Sequence, residues 1–325
     1  MGDVPEAARV AEVMAAALTD GTIETYSRHF IRFATWCEQR SLSPLPASTD
    51  TVLRWLAGDV CSGSRVQAKS LKVYLAAINT LHSDLEMERP AVGRRIQCFK
   101  AGLAKVASRT RGAARTYVPA WVVERAHLHG LAMTDAELAT DAGRRLLQAI
   151  VATVFTFCFV ARGGSGTALL ARDVRFSDAG LHVTLGVEKT RHAASVSRVL
   201  TLDVSRIPGL EQLLRRWEAV RGPLQDGYSY YALPGQRSFP TTQVDAWLKA
   251  VLDHLGVQAP AGEAWTGHSL RIGVASAMDA AGVSMRRICH MGGWASQSSA
   301  VKDYIDPTCP SSDAGRRYFA WLLPR

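Results

Sequence analysis

Between Arg145 and Arg162 the chain reads Leu-Leu-Gln-Ala-Ile-Val-Ala-Thr-Val-Phe-Thr-Phe-Cys-Phe-Val-Ala, without a charge. A helix of that composition is apolar around its whole circumference, so it fits only where other elements surround it. The run is shorter than the ~18 residues that suggest a membrane span, and is read as a buried core helix. The chain has 325 residues, about two domains at ~150 residues each. That is enough to build such a core without disulfides.

The first part of the chain reads as a small all-helical domain. Tyr26, Phe30, Phe33 and Cys37 recur at helical spacing. The stretch Ser41–Ser48, with Pro44 and Pro46, is a loop. Ser48 or Thr49 caps a second helix that turns Val52, Leu53, Leu56 and Val60 inward, and Gly58–Ser64 breaks it. A third helix starts near Lys69 with Leu71, Tyr74, Leu75, Ile78, Leu81 and Leu85 on one stripe, and a fourth covers about 94–106.

From 107 to 116 the sequence is small, polar and basic, which places an interdomain linker there. The boundaries expected are a helical domain over 1–107, a linker over 108–117 and a second domain over 118–325. In the second domain helices are expected at 119–131, 134–144, 146–160, 208–221, 241–255, 269–280 and 284–291. Leu181, Val183, Leu185 and Val187 alternate with polar residues after a turn at Asp178-Ala179-Gly180, and a further strand covers about 195–204. The fold class is therefore mainly α, with one small antiparallel sheet.

Lysine and arginine number 38 against 29 aspartates and glutamates, a net charge of +9 and a pI near 9.5. A surface of that sign suits a polyanion, nucleic acid before membrane. Residues 89–123 carry Arg89, Arg94, Arg95, Lys100, Lys105, Arg109, Arg111 and Arg115 with no acid, a pattern that fits a phosphate backbone or a solvated hinge. The six cysteines are scattered, with no C-x-x-C pair and no histidine cluster at zinc spacing, so neither a disulfide framework nor a metal site is expected. That usage suits a reducing, intracellular compartment. The N-terminus has Asp3, Glu6 and Glu12 among alanines, unlike a secretory or transit peptide, and Glu6 spoils a myristoylation motif.

Chemistry concentrates around Gly267-His268-Ser269-Leu270-Arg271. A hydrolase nucleophile elbow at Ser269 needs a second glycine where Arg271 stands, and the preceding Pro260–Trp265 is not expected to form a strand. As H-x-x-R on a helix, His268 and Arg271 share a face and make a clamp for phosphate oxygens. Downstream lies Met291-Gly-Gly-Trp294, followed by Tyr304. Upstream lies Arg162 at the end of the apolar run, and Lys189 stands between the two stretches.

The order Arg162, Lys189, His268-x-x-Arg271, Trp294, Tyr304 resembles the active site of the tyrosine recombinases, also called the phage integrase family. The resemblance covers nearly the whole chain, with the N-terminal helices similar to the family's core-binding domain. It implies a site-specific DNA recombinase that acts through a 3′-phosphotyrosyl intermediate, with neither metal nor ATP as cofactor. Tyr304 is then the nucleophile, and Arg162 and Arg271 clamp the non-bridging oxygens. His268 hydrogen-bonds the phosphate, Lys189 protonates the leaving 5′-hydroxyl, and the Trp294 indole donates to the phosphate. Implied partners are double-stranded DNA and three further copies of the chain, a homotetramer on DNA and a monomer off it, without a membrane. The location would be DNA-associated and the setting DNA integration or a mobile element. Arg65, Lys69, Lys72, Arg94, Arg95, Arg109, Arg111 and Arg115 are the expected DNA contacts.

The sequence departs from the family in two places. Ser165 and Gly166 stand where an acidic residue is usual, in a glycine-rich stretch that would loosen a helix start. Trp294 and Tyr304 are one position further apart than in most relatives. Alternatives stay open at this point. Tyr318 is a rival nucleophile, and Arg191 or Arg198 a rival for Lys189. The chain is otherwise a DNA-binding protein of the same fold with impaired cleavage, or a type IB topoisomerase-like enzyme. The segment from Tyr318 reads as a terminal helix, packed on its own domain or on a neighbouring copy.

Overall fold

In a computed structural model, residues 18–62, 70–107, 114–159, 163–178, 180–185, 198–294, 299–319 and 322 are described. They fall into two compact units, Met1–Gly112 and Ala113–Arg325.

The first unit has four α-helices among its described residues: α1 (Asp20–Glu38), α2 (Thr49–Trp55), α3 (Leu71–Asp84) and α4 (Arg94–Ala107). Phe33, Trp55, Leu56, Leu71, Ile78 and Ile96 form its core, with Phe30 and Tyr74 half-buried at the edge. Phe33 and Tyr74 meet Trp55 edge-on, with ring centroids 5.1 and 5.9 Å away. Ser48 is the cap of α2, accepting the Thr51 N–H. Gly58 does not end the helix. A π-helical turn, Leu56–Val60, carries it on, and the Trp55 indole donates to Asp59 within that turn.

The second unit is built around α7 (Asp141–Cys158), in which every residue from Leu147 to Cys158 is buried. Of its buried polar residues, Gln148 donates to the Tyr231 carbonyl and to the Gln236 side chain. Helices α5 (Ala120–Ala132), α6 (Asp135–Ala139), α9 (Leu210–Arg221), α10 (Gln243–Leu255) and α11 (Gly267–Ala280) pack against it. The helix expected over 134–144 is instead divided at Thr140, whose hydroxyl accepts the Gly143 N–H and starts α7. A Cβ on Gly143 would lie 2.0 Å from the Glu137 carbonyl oxygen, so the turn admits only glycine.

The sheet is antiparallel: β2 (Val174–Ser177), β3 (Gly180–Leu185) and β4 (Arg198–Leu202). Val174 pairs with Val183 and Val183 with Leu200, so one apolar face continues across all three strands. Ala114–Arg115, inside the expected linker, is β1 and pairs in parallel with β5 (Glu263–Ala264). This corrects the expectation that Pro260–Trp265 contains no strand. The pairing spans two residues, too short for any alternation to show in sequence. The glycine-rich stretch after Arg162 also differs from expectation, because Gly163–Thr167 forms a one-turn helix, α8. Beyond α11 come α12 (Met285–Gly292), a 3₁₀ turn over Ser299–Tyr304, and α13 (Asp313–Phe319). Helix α13 packs on α5 and α11 of its own unit.

Candidate active site

Helix α11 starts with a dense set of caps. Thr266 and Ser269 bond each other's backbone N–H reciprocally, and Asp245 accepts the Gly267 N–H at 2.6 Å. A side chain on Gly267 would strike Val244, so only glycine brings the helix this close to α10. Ser269 is fully buried and its oxygen is engaged in the cap, which removes the nucleophile-elbow reading. The same start leaves His268 exposed in the first turn and sends Arg271 inward.

Arg271 is 3% exposed. Its Nη2 donates to the Gly292 carbonyl, and its guanidinium carbon stands 4.0 Å from the centroid of the Trp294 ring and 5.5 Å from that of Tyr304. A buried arginine is a costly charge in isolation, and the carbonyl and the aromatic face offset part of that cost. The run Met291-Gly-Gly-Trp294 now has a physical account. A Cβ on Gly292 would lie 1.7 Å from the Trp294 ring, and Gly293 ends α12 with φ of +66°, in the left-handed region.

Tyr304 closes the cluster. Its ring centroid lies 5.1 Å from that of His268 and 5.0 Å from that of Trp294. The phenol is half-buried at the end of the 3₁₀ turn, which packs against α11. So four sequence-selected residues, His268, Arg271, Trp294 and Tyr304, meet around one point. Trp294 lies against the arginine, a contact beyond the hydrogen-bond role expected of it.

The rival Tyr318 lies elsewhere. It is 2% exposed, its hydroxyl lies 2.8 Å from His127 Nδ1, and burial pushes its phenol well above the ordinary value. A phenol held protonated in the core is no nucleophile. In the terminal helix Tyr318 and Phe319 contact Phe157 of α7, and Arg317 pairs with Glu124 of α5.

Arg162 and Lys189 lie outside the described residues, as do Arg191, Arg65, Lys69, Arg109 and Arg111. The segment holding Lys189 joins β3 to β4. Arg115 belongs to β1. Lys72, Arg94 and Arg95 are exposed in the first unit, and Arg95 pairs with Asp50 at 3.1 Å. Among the described residues no cluster of three or more histidine, cysteine or acidic side chains suits a metal ion, and no helix is long and apolar enough to cross a membrane. Sequence reasoning missed Asp245, which fixes the start of α11, and the steric demand at Gly292. It also missed Ser276, whose hydroxyl accepts the Asp306 N–H at 2.8 Å. A small residue inside a helix sends no signal of such a bond.

The chain is similar to known proteins. Residues 162–309 match the phage integrase family. The recombinase Cre of Escherichia phage P1 is 24% identical over 292 residues, covering 84% of this chain and 80% of the relative. Among solved structures, the XerH site-specific recombinase bound to palindromic difH substrate superposes with a TM-score of 0.58 at 13% identity, covering 92% of this chain and 76% of that one. The Tn1549 transposon integrase in complex with transposon right-end DNA gives 0.55 at 11% identity, covering 92% of each. His268, Arg271, Trp294 and Tyr304 are all gathered in the segment, residues 162–309, that is similar to the phage integrase family, the tyrosine recombinases.

Proposed function

We propose that this protein cuts and rejoins duplex DNA at a specific site through Tyr304. The observation that carries the reading is the convergence of His268, Arg271 and Trp294 on the Tyr304 ring. The Tyr304 oxygen attacks a backbone phosphorus as its proton passes to His268, the P–O5′ bond breaks, and a 3′-phosphotyrosyl bond forms. Arg271, with Arg162, bonds the non-bridging oxygens as charge builds on them. His268, the exposed member, hydrogen-bonds the phosphate from the helix start. Lys189 gives its proton to the departing 5′-hydroxyl. One phosphodiester is exchanged for another, so attack of a 5′-hydroxyl on the phosphotyrosine reseals the strand without ATP or metal.

Lys72, Arg94, Arg95 and Arg115, with Arg65, Lys69, Arg109 and Arg111, are assigned to the DNA backbone by charge and place in sequence. The assembly proposed is a homotetramer on two DNA sites and a monomer off DNA, in an intracellular, DNA-associated setting. The segments 1–107, 108–117 and 118–325 serve as DNA-binding domain, linker and catalytic domain.

Covalent trapping tests the reading. Full-length protein is mixed with randomised nicked duplexes in EDTA and resolved on a denaturing gel, with Tyr304→Phe and Tyr318→Phe alongside. The expected result is an adduct lost only in Tyr304→Phe. An adduct that survives Tyr304→Phe overturns the assignment. Salt-dependent DNA binding without any adduct makes the chain a binding protein of this fold.

A further inference from the structure

We infer that Ser276 is a positioning residue for Tyr304, holding the backbone that carries the nucleophile on the helix that carries the phosphate ligands. The inference rests on the strand-transfer reading above.

Ser276 is 1% exposed on α11, and its hydroxyl has two partners in good geometry. It donates to the Ile272 carbonyl at 2.8 Å, a bond within the helix, and accepts the Asp306 N–H at 2.8 Å. The Tyr304 carbonyl lies 3.4 Å from the same oxygen. The hydroxyl therefore bridges α11 to the segment just after Tyr304. That segment is stiff in its own right: Asp306 Oδ1 accepts from both the N–H and the hydroxyl of Thr308, at 2.9 and 2.6 Å.

Ser276 follows Arg271 by five residues and His268 by eight, so at ~1.5 Å per residue it sits about 7.5 and 12 Å along the same rigid axis. One helix then fixes both ends of the reaction geometry, the phosphate clamp near its start and the nucleophile's backbone further along. Only backbone next to Tyr304 is held, so its phenol stays free to reach phosphorus. In-line attack tolerates little displacement, and an error near 1 Å costs up to ~100-fold in rate. Alanine at 276 fits without a clash but takes away the acceptor that the Asp306 N–H has on α11, which favours a shifted turn.

The test compares wild-type, Ser276→Ala and Ser276→Thr full-length protein on the duplex enriched by trapping. Four quantities are read: melting temperature, duplex affinity, single-turnover adduct formation, and the same rate on a duplex whose scissile phosphate has a 5′-bridging sulfur. A thiolate leaves without an acid, so that substrate separates a fault in the nucleophile from one in leaving-group protonation. Ser276→Ala is expected to bind within ~2-fold of wild type and to form adduct ~10–100-fold more slowly on both substrates. Ser276→Thr, which keeps a hydroxyl able to bond the carbonyl four residues back, restores most of the rate. A wild-type rate in Ser276→Ala overturns the inference. So does a defect confined to the ordinary phosphate, or a loss of DNA affinity and melting temperature matching the loss of rate. Wild-type protein with no adduct on any duplex ends the strand-transfer reading and this inference with it, whereas an active wild type beside an equally active Ser276→Ala ends the inference alone.

Discussion

The guanidinium of Arg271 is stacked on Trp294, 4.0 Å from the ring centroid, and is bonded to the Gly292 carbonyl two residues before that ring. One short segment thus supplies both the lid and the acceptor for the buried arginine. Trp294→Ala removes the stacking face and opens a void. Adduct formation is expected to fall ~10–100-fold, since the arginine loses its fixed orientation. Stability falls by about 3–5 kcal/mol, as for other large aromatic truncations. Trp294→Phe keeps an aromatic face and recovers most of both. Single-turnover trapping and denaturant melts, run in parallel, check this.

The two adjacent glycines respond differently to the same methyl group. Gly292→Ala forces its Cβ into the Trp294 ring, so the ring and the Arg271 contact must shift. Cleavage is expected to drop at least ~10-fold, with about 1–3 kcal/mol of overpacking cost. Gly293→Ala meets its penalty in the backbone alone, because φ is +66° there. It loses about 1–2 kcal/mol of stability and leaves the cleavage rate near wild type. Equal activity losses in the two variants would contradict the steric account of the Gly-Gly-Trp run.

Sequence made the central helix and the candidate site residues readable for different reasons. The run from Leu147 to Cys158 is apolar on every side, a demand no exposed element makes, and all of it is buried. His268 and Arg271 form a pair that is weak by itself, and only the resemblance in residue order, from Arg162 to Tyr304, singles them and Tyr304 out. Other features depend on contacts that pair distant parts of the chain. Ser276 and Asp306 are thirty positions apart, and Asp245 caps Gly267 from another helix. The two-residue pairing of Ala114–Arg115 with Glu263–Ala264 has no periodicity at all. Sequence leaves Tyr318 as a rival because it does not reveal that His127 meets its hydroxyl in the core.

That contact predicts acid sensitivity. Burial, the largest influence, holds the His127 pKa below its ordinary 6.5. His129 is lowered as well, by burial first and then by the nearby His254. Above the ordinary value both folded and unfolded chains are neutral at these rings, and the contribution to stability is constant. Below it the unfolded chain takes up protons that the folded chain resists, so stability falls as pH drops. The melting temperature is expected to decline from about pH 6.5 downward. His127→Gln lowers it at neutral pH, because the Tyr318 hydroxyl loses its imidazole partner, and makes the acid-side decline shallower. An unchanged slope in that variant would assign the acid sensitivity to other groups.

The first unit's cations should separate by their present company. Lys72 and Arg94 are exposed with no ion pair among the described residues, whereas Arg95 shares Asp50 with Arg54, at 3.1 and 2.7 Å. A cation that neutralises a phosphate adds ~0.9 to the slope of log affinity against log salt. Lys72→Ala with Arg94→Ala is therefore expected to lower that slope by about 1–2 and to weaken binding to all duplex sequences alike. Arg95→Ala changes the slope less, since Asp50 already answers part of its charge. Anisotropy titrations of a labelled duplex across a series of salt concentrations read these slopes directly. A double variant with the wild-type slope would move the backbone contacts of this unit to other residues.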